Sequence, residues 1–360
     1  MTATADTAAL DFRSDTVTKP TPAMYDALLA APLGDDVLGH DPTVWELEEF
    51  SASRFGKEAA LFFPSGTMAN QAAVRAHTRD GDEILLGLKS HIFNFEVGGA
   101  ALHARLQTRP IAERDGYLRW EDLSAAIRPP NIHTPQTGLI CLENTHNILG
   151  GRLFPIGEMR AISEGAREAG IPVHLDGARI FNAQIASGTD VAEYAARVDS
   201  VMFCLSKGLA SPVGSMLVGS SELMERCRKI RKAMGGGLRQ AGLLAACGLV
   251  SMSQMVDRLA EDHKNARHLA AGLNASGLVI PVDLETVESN IVIAELDPFF
   301  TDLGAVVAAL GAAGLACTSF PPRAVRFCTH KDVSAADVDT AIATISRVAA
   351  ELGRSPATVG

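Results

Sequence analysis

Five short apolar runs in this chain each end in a polar or glycine-containing turn and give way to helical spacing. They are AALFFPSGTMANQ (59–71), DEILLG (82–87), GLICLENTHN (138–147), IPVHLDGARI (171–180) and DSVMFCLSKG (199–208). SMLVGS (215–220) reads as a further strand. Continuous apolar strands alternating with helices need cover on both faces, so the pattern predicts an α/β fold with a mainly parallel sheet between helices. In such sheets ligands collect beyond the carboxyl ends of the strands. The polar endings are therefore expected along one edge: Ser65-Gly66-Thr67, Glu143-Asn144, Asp176 with Arg179, and Ser206-Lys207.

Helix signals lie between and after these runs. VWELEEFSASRF follows Asp41-Pro42-Thr43, a good helix start. Residues 240–273 keep a helical pattern so long that one helix is expected to bridge two domains. After Gly277 the plan changes to strand-like SNIVIAEL, a helix from about Leu303, LACTSF, AVRFCTH and a final helix opened by a capping box of Ser334 and Asp337. This predicts a large domain over 15–250 and a small α+β domain over 251–360 joined by the segment 1–14. The uncharged stretch 303–320 reads as helix, glycine turn and short strand and not as a membrane span.

Lys+Arg total 32 against 42 Asp+Glu, a net charge of −10, which argues against nucleic acid and anionic membranes as partners. The start MTATADTAALDF has neither a basic cluster nor an apolar core, so no secretory signal is expected. The six cysteines, Cys141, Cys204, Cys227, Cys247, Cys317 and Cys328, form no C-x-x-C pair and mostly sit in apolar runs. They read as reduced core residues of a cytoplasmic protein.

Lys207 ends an interior strand, where an amine is costly to bury unless it is paired or neutral. A lysine past a strand is usually solvated, but one in a sheltered site can lose its proton and form a Schiff base with a carbonyl. Pyridoxal 5'-phosphate is the cofactor that uses this chemistry most. It needs a lysine for its aldehyde, an acid for its ring nitrogen and a cradle for its phosphate. Asp176 is the candidate acid, although an aspartate there can also cap a helix or pair with Arg179. Gly66 and Thr67 lie at a strand-to-helix turn, where backbone N–H groups and the helix N-terminus favour an anion. His91 can stack on the ring or be purely structural. Asp35, Asp36, His40 and Asp41 in GDDVLGHDPT (34–43) read as a capped loop, and no metal is expected.

Taken in order, RSDTVTKPT, GDDVLGHDPT, FGKEAALFFPSGTMANQ, SHIF, ENTHN, HLDGARIFNA, CLSKGLASPVGS, GGGLRQAG and THKDVS resemble the low-specificity L-threonine aldolase family over residues 12–352. That family has the aspartate-aminotransferase-like fold of pyridoxal-phosphate enzymes, fold type I. The resemblance implies that Lys207 forms the internal aldimine and that Asp176 pairs with the ring nitrogen. It implies that Gly66 and Thr67 hold the phosphate with Arg239 and Lys232, and that His91 stacks on the ring. Ser14, Arg179 and Arg326 would receive the substrate carboxylate, a task suited to the planar fork of arginine. Lys232 lies in the basic run RCRKIRK, which alone reads as a solvated helix face, and Arg326 could equally pair with an acid. His133 matches a histidine near the substrate hydroxyl. Either His133, His91 or a held water would take the hydroxyl proton, with Glu96 and Asn144 in support. The implied reaction is cleavage of L-threonine, L-allo-threonine or related β-hydroxy-α-amino acids to glycine and an aldehyde in a homotetramer with shared active sites. β-Elimination and transamination are the alternatives on the same scaffold. Where the family pattern reads GDDVYGEDPT, this chain has Leu38 and His40, and where it reads IHFPRT, Thr134 and Gln136 interrupt it.

Overall fold

In the computed structural model, which describes residues 10–354, the apolar runs become a seven-stranded sheet. Its strands are β1 (Ala59–Phe63), β2 (Glu83–Gly87), β3 (Gln107–Ile111), β4 (Thr137–Glu143), β5 (Val173–Asp176), β6 (Ser200–Cys204) and β7 (Ser215–Gly219), in the order β1-β7-β6-β5-β4-β2-β3. Only β7 is reversed, pairing antiparallel with β1 and with β6. β1 and β6 therefore run the same way as the parallel strands β5, β4, β2 and β3, and their carboxyl ends share one edge, as expected.

β3, QTRPI, is the strand the sequence reading misses. It is partly exposed, polar and interrupted by Pro110, a residue tolerated because β3 is an edge strand.

Side-chain alternation covers both faces of the sheet. Leu61 and Phe63 of β1 and Met202 and Cys204 of β6 pack with Ala69, Ala72 and Ala73 of the helix Gly66–His77. Phe203, pointing the other way, stacks on Phe55 at 4.6 Å between ring centroids, and Phe55 ends the helix Pro42–Phe55. That helix starts where expected, with the Asp41 side chain accepting from the Val44 N–H at 3.2 Å. The basic run at 226–232 does not form a uniformly solvated face. Arg231 is buried, donating to the Phe62 carbonyl at 2.5 Å and to Asp36 at 2.8 Å. Such a pair is destabilising to break, because one buried charge is left uncompensated.

The chain divides into two units, Lys19–Asp257 and the residues before and after it. In the second unit Thr318–Phe320, Ala324–Cys328 and Ile291–Glu295 form an antiparallel sheet, and Leu10–Asp11 pairs with Leu315–Ala316. Leu269, Leu273, Phe327, Val338 and Ile345 share its core. The capping box is present: Ser334 Oγ accepts from the Asp337 N–H at 3.2 Å, and Asp337 accepts from the Ser334 N–H at 2.8 Å. Residues 303–320 form the expected helix (Leu303–Ala312), a turn at Gly314 with φ of +84°, and strand.

The single helix expected over 240–273 is instead two, Gly242–Gln254 and Leu259–Ser276. No glycine or proline lies between 249 and 271. The break coincides with the boundary between the two units, so it follows from tertiary folding and not from local propensity. No single helix among the described residues is long and apolar enough to cross a membrane. All six cysteines are free and buried. Residues 1–9, most of the stretch read for a secretory signal, lie outside the described residues.

Candidate active site

Four turns at the carboxyl edge of the sheet carry the candidate residues, and each has a local cause. After β1, Ser65 caps the twelve-residue helix Gly66–His77, its side chain accepting from the Met68 N–H at 3.2 Å. The first N–H groups of that helix have no intrahelical acceptor and sit at its positive end. A Cβ at position 66 would come within 3.0 Å of Cys204 Sγ and 3.4 Å of Met202, so glycine lets the helix start lie against the end of β6. After β5, the Gly177 N–H donates to the Met202 carbonyl at 2.8 Å, and a Cβ there would meet the same oxygen at 2.9 Å. Glycine is thus required for the turn that carries Asp176 into Arg179.

After β6, the loop bearing Lys207 is held by main-chain bonds. Leu205 N–H donates to Gly214 O, Ser211 N–H to Leu205 O and Ala210 N–H to Lys207 O, at 2.8–3.0 Å. Lys207 is half-buried.

After β2, His91 begins a short helix, and its backbone N–H donates to Glu143 Oε2 at 2.7 Å. Its ring Nδ1 lies 2.9 Å from Glu96 Oε1. Ligand atoms of His91, Glu96 and Asp176 lie within 4.8 Å of one another. Asn70 joins the two acids, its amide nitrogen donating to Glu96 Oε1 at 2.8 Å and to Asp176 Oδ2 at 2.9 Å. Gln71 donates to the other Glu96 oxygen at 2.5 Å. These amide donors already serve the carboxylate oxygens, which disfavours a cation there. Burial opposes a proton on His91, but the hydrogen bond to Glu96 and the charges of Asp176, Glu96 and Glu143 outweigh it, so its pKa is raised.

Two supporting side chains complete this edge. Asn144, at the end of β4, is fully buried and its Nδ2 has no hydrogen-bond partner among the described residues. Arg179 is buried and donates to Asn147 Oδ1 at 3.3 Å.

Other sequence candidates lie elsewhere. His133 is exposed and precedes the amino end of β4, opposite the edge that carries Lys207 and Asp176. Lys232 and Arg239 are exposed, and Arg239 pairs with Asp35 at 3.2 Å. In the other unit Ser14 and Arg326 are neighbours, since Arg326 Nη1 donates to the carbonyl of Arg13 at 3.2 Å. The acids of GDDVLGHDPT act as the capped-loop reading expects: Asp35 accepts from the Leu38 N–H at 3.0 Å and Asp41 caps a helix, while Asp36 holds Arg231. The sequence reading passes over Asn70 and His174. The available signal for His174 is its i, i+2 spacing from Asp176 on one strand, which puts both on the same face.

Residues 11–297 match the model of a family described as beta-eliminating lyase. A low specificity L-threonine aldolase of Escherichia coli K12 is 46% identical over 269 residues, covering 74% of this chain and 80% of that protein. The chain belongs to the low-specificity L-threonine aldolase family. Solved structures agree on the fold. The Leishmania major threonine aldolase superposes with a TM-score of 0.81 at 20% identity, covering 94% of this chain and 99% of that one. An SPT structure with PLP superposes at 0.76 and 20% identity, covering 96% and 88%. The fold is thus that of the fold type I pyridoxal-phosphate enzymes. Against this aldolase family, the departures at Leu38, His40 and Gln136 are exposed and Thr134 is partly so, leaving the buried cluster around Asp176 unaltered.

Proposed function

We propose that this protein is a pyridoxal-phosphate-dependent aldehyde-lyase that cleaves L-threonine, L-allo-threonine and related β-hydroxy-α-amino acids to glycine and an aldehyde. The observation that carries this reading is the convergence of Lys207, buried Asp176, the Gly66 helix start and the His91–Glu96 pair at one sheet edge, in a chain of this family. Holoenzyme supplied with L-threonine is expected to release glycine and acetaldehyde in equal amounts. Release of ammonia and a keto acid instead would move the reading to the eliminating or transaminating alternatives.

The residues fit the cofactor. The Asp176 carboxylate is 2% exposed and receives donors from Asn70 and from the Ala178 N–H at 3.1 Å. A buried carboxylate retains further lone pairs to satisfy, and a protonated ring nitrogen meets them. Asn144 Nδ2 is a buried donor awaiting an acceptor, as a ring oxygen would provide. Gly66 and Thr67 offer N–H groups to a phosphate. Lys207 would be the covalent anchor, through its ε-nitrogen, and His91 would stack on the ring. The chemistry supplied by bound pyridoxal phosphate is electron withdrawal from Cα as the Cα–Cβ bond opens.

The chain's own residues orient the substrate and move its proton. Arg179 fixes the substrate carboxylate and hence the direction of the bond to be broken. With Nδ1–H given to Glu96, neutral His91 has its lone pair on Nε2 and accepts the β-hydroxyl proton. Because only the neutral ring accepts, activity falls as pH drops through the His91 pKa. That pKa is raised, so the acid limb of kcat/KM is expected above pH 6.5, the ordinary imidazole value. His91→Phe is expected to remove this limb and lower kcat/KM by roughly 10²- to 10⁴-fold. A limb that survives in the variant would assign the proton to another group.

Exposure of His133, Lys232 and Arg239 supports their acting on the site of a second copy, in a homotetramer with shared active sites. Tyr25, Leu29 and Trp45, exposed at 54%, 82% and 53% on the helices Pro22–Ala30 and Pro42–Phe55, supply apolar surface of the kind that copies bury. The free buried cysteines support a cytoplasmic setting.

A further inference from the structure

His174 is fully buried and faces Ser200 across the β5–β6 register. Its Nδ1 lies 2.8 Å from Ser200 Oγ and its Nε2 lies 3.0 Å from Asn70 Oδ1. Ser200 Oγ lies 2.8 Å from His77 Nε2. Burial pushes His174 down to about 3 and His77 down to about 4, so both rings are neutral near pH 7.

These contacts admit one arrangement of protons. Asn70 Nδ2 faces oxygens of Glu96 and Asp176, which only accept. Asn70 Oδ1 therefore faces His174, and His174 Nε2 must carry a hydrogen. A neutral ring then has its lone pair on Nδ1, which only the Ser200 hydroxyl can fill. With its one hydrogen committed, Ser200 accepts, so His77 Nε2 donates. All the donors point the same way, from His77 through Ser200, His174 and Asn70 to Asp176.

We propose that these four side chains form a one-directional donor chain ending on the Asp176 carboxylate, with His174 as the positioning residue that locks the Asn70 amide. This inference rests on the reading that Asp176 meets the cofactor ring nitrogen. Aligned hydrogen bonds polarise one another, which strengthens the last N–H and steadies the anion. The opposite His174 tautomer would set a lone pair against Asn70 Oδ1.

Nitrogen NMR of holoenzyme labelled with ¹⁵N-histidine is expected to report the Nε2–H tautomer at both His174 and His77. A hydrogen on His174 Nδ1 overturns the proposal. In a second measurement, apoprotein is titrated with pyridoxal phosphate ¹⁵N-labelled in the ring. Ser200→Ala, close in shape to the original, and His174→Phe are each expected to weaken binding by up to about tenfold, the upper worth of one neutral hydrogen bond. Both are expected to move the ring-nitrogen signal toward the unprotonated form. His174→Gln keeps an amide donor for Asn70 and is expected to restore most of both. Ser200→Ala carries the test should His174→Phe not fold. Wild-type affinity and an unmoved signal in Ser200→Ala overturn the proposal, whereas Asp176→Asn binding like wild type in the same titration overturns the reading beneath it.

Discussion

Lys207→Ala is expected to yield a folded chain that holds no covalent pyridoxal phosphate and cleaves threonine about 10³- to 10⁴-fold more slowly, as covalent attachment and proton handling by one amine are lost together. The loop around position 207 is tied by the main-chain bonds of Leu205, Ala210 and Ser211, none of which uses the lysine side chain. Those bonds are therefore retained in the variant. Lys207→Arg is expected to fail equally, because a guanidinium keeps its proton and offers no nucleophilic nitrogen. The check is borohydride reduction followed by peptide mass analysis, alongside the rate of acetaldehyde release. A pyridoxyl adduct on a different lysine, or a rate within tenfold of wild type, would remove the basis of the proposed function.

Asp176→Asn is expected to lower kcat/KM by about 10²- to 10³-fold, the scale seen when one electrostatic group aimed at a reacting centre is deleted. The change keeps the size of the side chain but reverses the polarity of one of its two positions. In the native site Oδ2 accepts from Asn70 and Oδ1 accepts from the Ala178 N–H. An amide in either orientation sets an NH₂ against one of these donors, and under the proposed function the cofactor's ring nitrogen would lose its anionic partner as well. Steady-state kinetics with saturating cofactor separate this effect from weaker cofactor binding. A kcat/KM within tenfold of wild type would show that Asp176 is a structural acid only.

The residues that end strands were legible because the information is local. Asp176 and Lys207 close apolar runs, and Gly66 opens the turn that follows one. Arg231 was not legible. Its place in a basic helical run points to solvent, and its buried partners, the Phe62 carbonyl and Asp36, lie 169 and 195 residues away in sequence. His133 shows the same limit: a motif match fixes its neighbours in sequence but not the edge of the sheet on which it stands.

Amino-acid order alone determined six of the seven strands of the large sheet, which of their ends are polar, and which chemical groups stand there, because periodicity of two or 3.6 residues and turn chemistry act over a few neighbours. Tertiary structure alone decided the sheet order β1-β7-β6-β5-β4-β2-β3 and the break in the long helical stretch. It also decided the meeting of Asn70 with His174, 104 residues apart in sequence, and with Asp176, 106 residues apart. Hydrogen bonds over such separations depend on which strands become neighbours and in what register, and burial of the whole chain settles that choice.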